Sequence, residues 1–343
     1  MPQGINILSL SGFSGNTRLP SQIITQHSRN QIPLDKGDER VVKKLANNDM
    51  PEFTVCNICT HPGKFENALE VKEIRSNVRK FKHEKFTVWR CLNCGSLHSR
   101  EAVDLDYYYV HYPIKNHIMN YATHKSYRNR LRVLQKHGLK KGHAILDFGC
   151  GQGLFVSFLL QCGYNASGYD SYVERYSDGK VLNVVYDVVT SYDVIEHAKQ
   201  PVEFFEQLVC CIQRGGLLAV GTPAADKIDL SDPEKFSMEL HQPYHRHILS
   251  EGALLNLGVH AGLDVIKVYH RFYFDTLYPM VNTRFLKTYV YCAGNFIDVV
   301  FEEPRLKCLF TSPQLLFYAL AGYFFPPSGN ITVFFRKRRP ASR

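Results

Sequence analysis

No stretch of this sequence is both long and apolar enough to cross a bilayer. The longest apolar run near the end, residues 315–325, falls short of the about 20 residues that a spanning helix needs. Residues 1–17 lack a basic start followed by a long apolar run, so no secretory signal is read there. There are no internal repeats and no low-complexity tracts, which excludes solenoids and propellers. Neither sign of charge dominates: 41 basic and 32 acidic side chains leave a formal net charge of +9. A disulfide framework is also missing. Of ten cysteines, four form two C-x-x-C pairs and six are scattered, which fits a reducing, cytoplasmic setting.

What is present is an ordinary globular composition, 45% hydrophobic and 21% charged, in a chain of 343 residues. That length predicts one large domain and a small module. Residues 1–52 are polar and read as a poorly ordered tail, with a short helix near 39–46. Residues 53–100 hold the paired cysteines. Residues 101–140 form a helical linker or substrate lid, beginning with Tyr107, Tyr108, Tyr109 and Tyr112 and continuing with Tyr127, Leu131 and Leu134 at helical spacing. Residues 141–269 alternate short apolar strands with helices, the pattern of a parallel, doubly wound α/β sheet. Residues 270–328 are rich in aromatic and aliphatic side chains and read as a helical insert. Residues 329–343 give a last strand and a basic tail.

The first strand, residues 144–148, runs into Asp147-Phe148-Gly149-Cys150-Gly151-Gln152-Gly153 and then an apolar helix. Alternate glycines let the backbone turn sharply and approach a ligand, and the start of the helix offers free N–H groups to an anion. Asp170, at the end of the next strand, can take two ribose hydroxyls, with Gly168 giving clearance. A dinucleotide fold prefers G-x-G-x-x-G, but here Leu154 holds the sixth position. The D-x-G-x-G-x-G loop with its downstream acid resembles motifs I and II of class I methyltransferases. That resemblance implies a seven-stranded sheet and S-adenosyl-L-methionine as cofactor. It implies a cofactor site made of Asp147, Phe148, Gly149, Cys150, Gly151, Gln152, Gly153, Tyr169, Asp170, Ser191, Tyr192 and Asp193. The stretch from Asp170 to Tyr186 is short for this family, and Asp178 is the acid considered there for the adenine.

Residues 186–197 run off a buried strand and end in Asp193-Val194-Ile195-Glu196-His197, followed by Pro201, a helix, Gly215-Gly216 and a strand. This order resembles small-molecule methyltransferases. The tetrad that marks N-methyltransferases of bases and amides is absent, as is any Pro-Cys pair, which argues against a cytosine-5 type thiol nucleophile. Asp193-x-x-Glu196-His197 also resembles the E-x-x-E-H run of small RNA 3′-end methylases and ubiquinone-pathway O-methylases. That likeness implies a bound Mg²⁺. The plainer alternative is that Glu196 and His197 cap the next helix and orient the loop.

Cys56-x-x-Cys59 and Cys91-x-x-Cys94 supply four soft ligands, which predicts one structural zinc with no open position. A hairpin or helix must bulge out between the pairs. A Cys₄ module followed by tyrosines and this core resembles bacterial methyltransferases that include sugar C-methyltransferases. Their Y-H-E-H-x-x-x-x-S run is matched in part by Tyr244-His245-Arg246-His247 with Ser250. The likeness implies a histidine base, His247 by tetrad order or His245 by distance to the serine. The expected activity is methyl transfer to O or C of a small-molecule biosynthetic intermediate, with His245, His247, Glu196 and His197 around the acceptor. An RNA methyltransferase gripping nucleic acid with the basic cysteine module is the rival, and a non-catalytic scaffold is the third reading. The basic residues of that module read equally as a solvated surface, because four glutamates dilute them.

Overall fold

The computed structural model describes residues 52–113, 117–305, 307–308, 312–327 and 329–339. The predicted tail up to residue 51, with its short helix, lies outside the described residues. In chain order the strands are β1 (Glu70–Arg75), β2 (Lys85–Arg90), β3 (Leu97–Ser99), β4 (Ala144–Phe148), β5 (Asn165–Tyr169), β6 (Tyr186–Tyr192), β7 (Ile212–Pro223), β8 (His247–Ile248), β9 (Leu263–Tyr269) and β10 (Asn330–Lys337). The helices are α1 (Leu105–Val110), α2 (Tyr121–Lys136), α3 (Leu154–Gln161), α4 (Pro201–Cys210), α5 (Ser237–Leu240), α6 (Glu251–His260), α7 (Thr283–Cys292) and α8 (Pro313–Ala321).

The large sheet has the order β5-β4-β6-β7-β10-β9. β4, β5, β6 and β7 are parallel, and β10 runs antiparallel between β7 and β9. Side-chain alternation splits its strands cleanly between two cores. Ile145, Val188, Leu217 and Phe334 pack with Tyr127, Leu131 and Leu134 of α2 and Phe155 and Phe158 of α3. Their neighbours Leu146, Val189, Leu218 and Phe335 face Phe205 and Leu208 of α4 and Leu254 of α6. Helices on both faces make the sheet doubly wound, as expected.

Among the described residues the sheet has six strands, not the expected seven. Between Asp170 and Val185 the chain makes two short 3-10 turns, Glu174–Tyr176 and Gly179–Asn183, in place of a helix and a further strand. Gly215 and Gly216 also lie inside β7 rather than after a helix: Tyr186 pairs with Ile212, then Val188 with Leu217, and the glycines take up the irregularity.

Residues 270–328 are helical only in part: residues 270–282 are turns and coil, followed by α7 packed on α8 and the 3-10 turns Ile297–Val300 and Gly322–Phe324. The basic end is structural. Arg336 donates to the carbonyls of Gly215 (3.0 Å) and His137 (2.8 Å), and Lys337 to those of Val209 and Ile212 at the end of α4 (both 2.8 Å).

The cysteine module is a second, antiparallel sheet, β1-β2-β3-β8. β1 and β2 form a hairpin between the cysteine pairs, one of the two forms expected there. The last strand, β8, comes from the main domain and pairs with β3 through Leu97–Ile248 and His98–His247.

Candidate active site

Strand order reverses between β4 and β6, and ligands of open α/β sheets bind beyond the carboxyl ends of the strands at such a point. The glycine loop leaves β4 there. Gly149, Gly151 and Gly153 have φ of 79°, 52° and 71°, the left-handed region. A Cβ on Gly149 would lie 2.2 Å from a methyl of Val194, and one on Gly153 would lie 2.0 Å from the Tyr176 hydroxyl. The Gly151 N–H donates to Asp170 Oδ2 (2.8 Å) and the Tyr172 N–H to Oδ1 (2.9 Å), so Asp170 braces the loop it faces. The Tyr169 carbonyl accepts the N–H groups of Gly149 (2.7 Å) and Cys150 (3.1 Å).

The loop's side chains have separate tasks. Asp147 is buried and accepts from the Thr190 hydroxyl (2.7 Å); burial raises its carboxyl, and the charge of Arg130 opposes the rise. Phe148 packs on Tyr169 and Phe204. Burial pushes the Cys150 thiol up, so it is no nucleophile at neutral pH. Gln152 is exposed. Asp178 turns its carboxylate to the Lys180 N–H (3.0 Å).

Arg130, on α2, is a residue the motifs did not point to. Its guanidinium carbon lies 4.1 Å from the Tyr192 ring centroid, 4.2 Å from Tyr273, 4.4 Å from Phe155 and 5.1 Å from Tyr127. Its Nε is buried without a hydrogen-bond partner, and so is the Ser191 hydroxyl on β6. A buried cation with an unsatisfied donor is a place where an anion could bind. The helical stripe Tyr127, Leu131, Leu134 already puts residue 130 on the buried face.

The other wall of the crevice follows β6. Asp193, at φ 54°, accepts from the Tyr273 hydroxyl (2.8 Å), and its carboxyl is pushed up to about 6 by burial. Glu196 is fully buried: Oε2 accepts from Thr222 (3.0 Å), while Oε1 has no partner. Burial and the charge of Asp193 hold its carboxyl well above the usual range. The Arg246 N–H donates to the Glu196 carbonyl (2.9 Å), which ties the histidine loop to this edge. His245 thereby stands beside His197, their ring centroids 4.8 Å apart. His245 Nδ1 donates to the Glu239 carbonyl (2.6 Å), a bond that leaves Nε2 unprotonated. Burial pushes its imidazole down to about 4. His197 Nδ1 shares a hydrogen bond with the Tyr109 hydroxyl (3.1 Å), and Tyr109 stacks on Tyr172. Tyr112 and His241 stack on Tyr244.

The structure does not bring His247 into this group. It begins β8, where its Nδ1 meets His98 Nδ1 (3.0 Å) and its Nε2 lies 3.4 Å from the Lys199 carbonyl. The donor atoms that do converge are those of Glu196, His197 and His245, all within 4.8 Å of one another. Asp193 stands outside that set, bound to Tyr273.

Residues 117–268 match the family described as methyltransferase domain. Over those residues the chain carries a methyltransferase domain. It is 25% identical over 129 residues to the mitochondrial ubiquinone biosynthesis O-methyltransferase of Schizosaccharomyces pombe, a match that covers 31% of this chain and 46% of that protein. The chain thus spans about half the length of the curated relative it matches. It is also similar to solved structures. One is the 1,6-didemethyltoxoflavin-N1-methyltransferase of Burkholderia thailandensis, with bound 1,6-didemethyltoxoflavin and S-adenosylhomocysteine (TM-score 0.40, 11% identity, 74% of this chain and 96% of that one). Another is coclaurine N-methyltransferase bound to N-methylheliamine and S-adenosylhomocysteine (TM-score 0.39, 16% identity, 63% and 71%). Likenesses this distant bear on neither substrate nor mechanism.

Beside the methyltransferase domain, the four cysteines meet as the spacing predicts. Sγ–Sγ distances are 3.6 Å (Cys56–Cys59), 3.7 Å (Cys56–Cys94) and 4.0 Å (Cys59–Cys91). A tetrahedron with zinc–sulfur bonds of about 2.3 Å has edges of about 3.8 Å. Without a cation four such thiols cannot all ionise: the hydrogen bond shared with Cys94 and burial push the Cys56 thiol up, and the same hydrogen bond pushes the Cys94 thiol down. The module's basic side chains are partly neutralised, with Arg79 paired to Glu302, Lys85 to Glu73 and Arg90 to Glu70.

Proposed function

We propose that this chain is an S-adenosylmethionine-dependent methyltransferase acting on oxygen or carbon of a small-molecule acceptor, with His245 as the general base. The observation that carries the reading is the carboxyl edge of the sheet, where the glycine loop and Asp170 lie beyond β4 and, off the end of β6, the chain runs from Tyr192, whose ring packs on Arg130, to His197, whose ring centroid is 4.8 Å from that of His245. The residues fit the cofactor. Arg130 suits its carboxylate, the loop lets its backbone come close, and Asp170 keeps lone pairs for ribose hydroxyls. When bound, S-adenosylmethionine supplies an electrophilic methyl on a sulfonium whose leaving group is neutral. What remains for the protein is to hold the acceptor in line and take its proton. His245 Nε2 is free to accept that proton, and His197 and Tyr109 define the space beside it.

Two further parts belong to this proposal. Cys56, Cys59, Cys91 and Cys94 would hold a structural Zn²⁺, a closed site with no role in the reaction. Glu196, His197 and His245 favour a second reading of the base, in which they hold a divalent ion and His245 is a ligand. Two imidazoles and one carboxylate suit zinc, manganese or iron better than the magnesium that the motif implies. Chelation would then stop turnover at once, and added divalent ion would restore it. The RNA reading gains little from a module in which Arg75, Arg79, Lys85 and Arg90 each pair with a glutamate.

Calorimetry with S-adenosylhomocysteine tests the core of the proposal. Micromolar binding is expected, and Asp170→Ala should weaken it by about 1.5–3 kcal/mol per lost hydrogen bond. Absence of binding to the folded wild type would end the methyltransferase reading.

A further inference from the structure

A second cation, Arg246, stands beside the candidate site. Its backbone is pinned on both sides: its N–H donates to the Glu196 carbonyl (2.9 Å), and its carbonyl accepts from the Ser99 N–H (2.8 Å). The side chain is half-buried, and its Nε is buried without a hydrogen-bond partner. Among the described residues its guanidinium forms no ion pair. The Phe53 ring centroid lies 5.9 Å from its guanidinium carbon, the outer limit of a cation–π contact. Burial pulls the guanidinium down, and the groups that oppose this are the Tyr172 and Tyr109 phenols, not carboxylates.

Those phenols locate the cation. Tyr109 stacks on the exposed ring of Tyr172 (4.5 Å), and its hydroxyl shares the hydrogen bond with His197 (3.1 Å), whose ring lies against His245. His197, held neutral by burial, also senses the charge of Arg246. A half-desolvated guanidinium with a spare donor suits an oxyanion, whose paired oxygens match its fork. The Y-H-E-H run that this segment resembles has glutamate here, so the charge at this position is inverted.

We infer that the methyl acceptor carries a carboxylate or phosphate, and that Arg246 binds this group while the rest of the molecule reaches His245. The inference rests on the proposed function, which puts the acceptor at His245. The cofactor is the weaker occupant, because its carboxylate is assigned to Arg130 and its ribose to Asp170.

NMR titration of the full chain, saturated with S-adenosylhomocysteine, tests it with inorganic phosphate and benzoate. Saturation occupies Arg130, so a bound probe anion reports on another site. At least one probe should bind, and the tighter of the two tells phosphate from carboxylate. Benzyl alcohol, a neutral counterpart of benzoate, should bind about tenfold more weakly or worse, and Arg246→Gln should weaken anion binding by about tenfold or more, the worth of a charged hydrogen bond. Arg246→Lys should recover part of the loss, since the charge returns without the planar fork. Both variants should keep the wild-type S-adenosylhomocysteine affinity and thermal unfolding. Arg128→Gln, at an exposed cation of α2, should change nothing and controls for net charge. If Arg246→Gln does not fold, protection of Arg246 from phenylglyoxal by the tighter anion replaces it, and lack of protection counts against the inference. Absence of anion binding to the loaded wild type, equal binding of benzyl alcohol, or equal binding by Arg246→Gln overturns it. So does a matching loss of S-adenosylhomocysteine affinity in Arg246→Gln, which would make Arg246 a cofactor ligand. Failure of S-adenosylhomocysteine itself to bind would end the methyltransferase reading instead, and the titration without it would still decide whether Arg246 holds an oxyanion.

Discussion

Arg130 is held by four rings, and although the buried Asp147 and Asp193 carboxyls sense its charge, neither forms an ion pair with it. Burying such a cation costs stability unless a counter-ion arrives, and the cofactor carboxylate is the counter-ion proposed. Arg130→Met should therefore leave thermal unfolding unchanged or raise it slightly, while S-adenosylhomocysteine affinity falls about 10- to 150-fold, the value of a charged hydrogen bond of about 1.5–3 kcal/mol. A lower melting temperature with unchanged affinity would make Arg130 a packing residue. His245 is the complementary case, a group kept neutral by burial. A base must be unprotonated to act, so activity is lost as pH falls through the pKa of the base in the free enzyme. With His245 near 4, kcat/KM should stay flat from pH 8 down to about 5.5, well below the usual histidine value of about 6.5. An acid limb near pH 6 would point to Asp193 instead, whose carboxyl is raised to about 6. His245→Gln should lower turnover by about 10²–10⁴ and leave cofactor affinity almost unchanged.

Elements differ in how plainly the chain announces them. β4, the glycine loop, α3 and β6 are legible because alternation, glycine spacing and flanking polar residues agree. The missing strand of the expected seven, which would fall between β5 and β6, fails on length. Residues 170–185 can supply one parallel crossover, which takes a dozen or more residues, but not two with a strand between them. That limit is visible in the spacing itself, and the family likeness overrode it. Gly215-Gly216 misleads for a different reason, since a helix stop and a strand irregularity ask for the same residue. The parting of His245 from His247 is not legible at all. Residues two apart share a face only within a strand, and β8 is two residues long and starts at His247. Arg130 was within reach, because an arginine inside a helical apolar stripe asks for a buried partner. The Glu196–His197–His245 group was half legible: the motif places the first two on one edge, but only the Arg246–Glu196 backbone bond brings in the third.

At the scale of the whole molecule, the cysteine module is tied into the methyltransferase domain rather than hung from it. Cys56, Ile58, Trp89 and Cys91 share one apolar cluster with Leu146, Phe205, Leu249 and Leu254. Arg90, next to Cys91, donates to the carbonyls of Ala225 (2.9 Å) and Ile228 (2.7 Å), beyond β7. The module's last strand belongs to the loop that carries His245. Loop closure seen from the cysteine spacing alone suggests that zinc stabilises only its own segment. The shared core says otherwise: a metal that binds only the folded module stabilises everything that unfolds with it. Protein purified without added zinc should contain one zinc per chain. Cys91→Ser should lower the stability of the entire chain by several kcal/mol, as one shifted transition in scanning calorimetry, and weaken acceptor turnover more than cofactor affinity. The last effect follows from β8, since misplacing it moves His245 while the glycine loop stays on β4. Two transitions, with the upper one unmoved by the substitution, would mean that the module folds independently. Zinc-free protein with four titratable thiols would remove the metal from the account altogether.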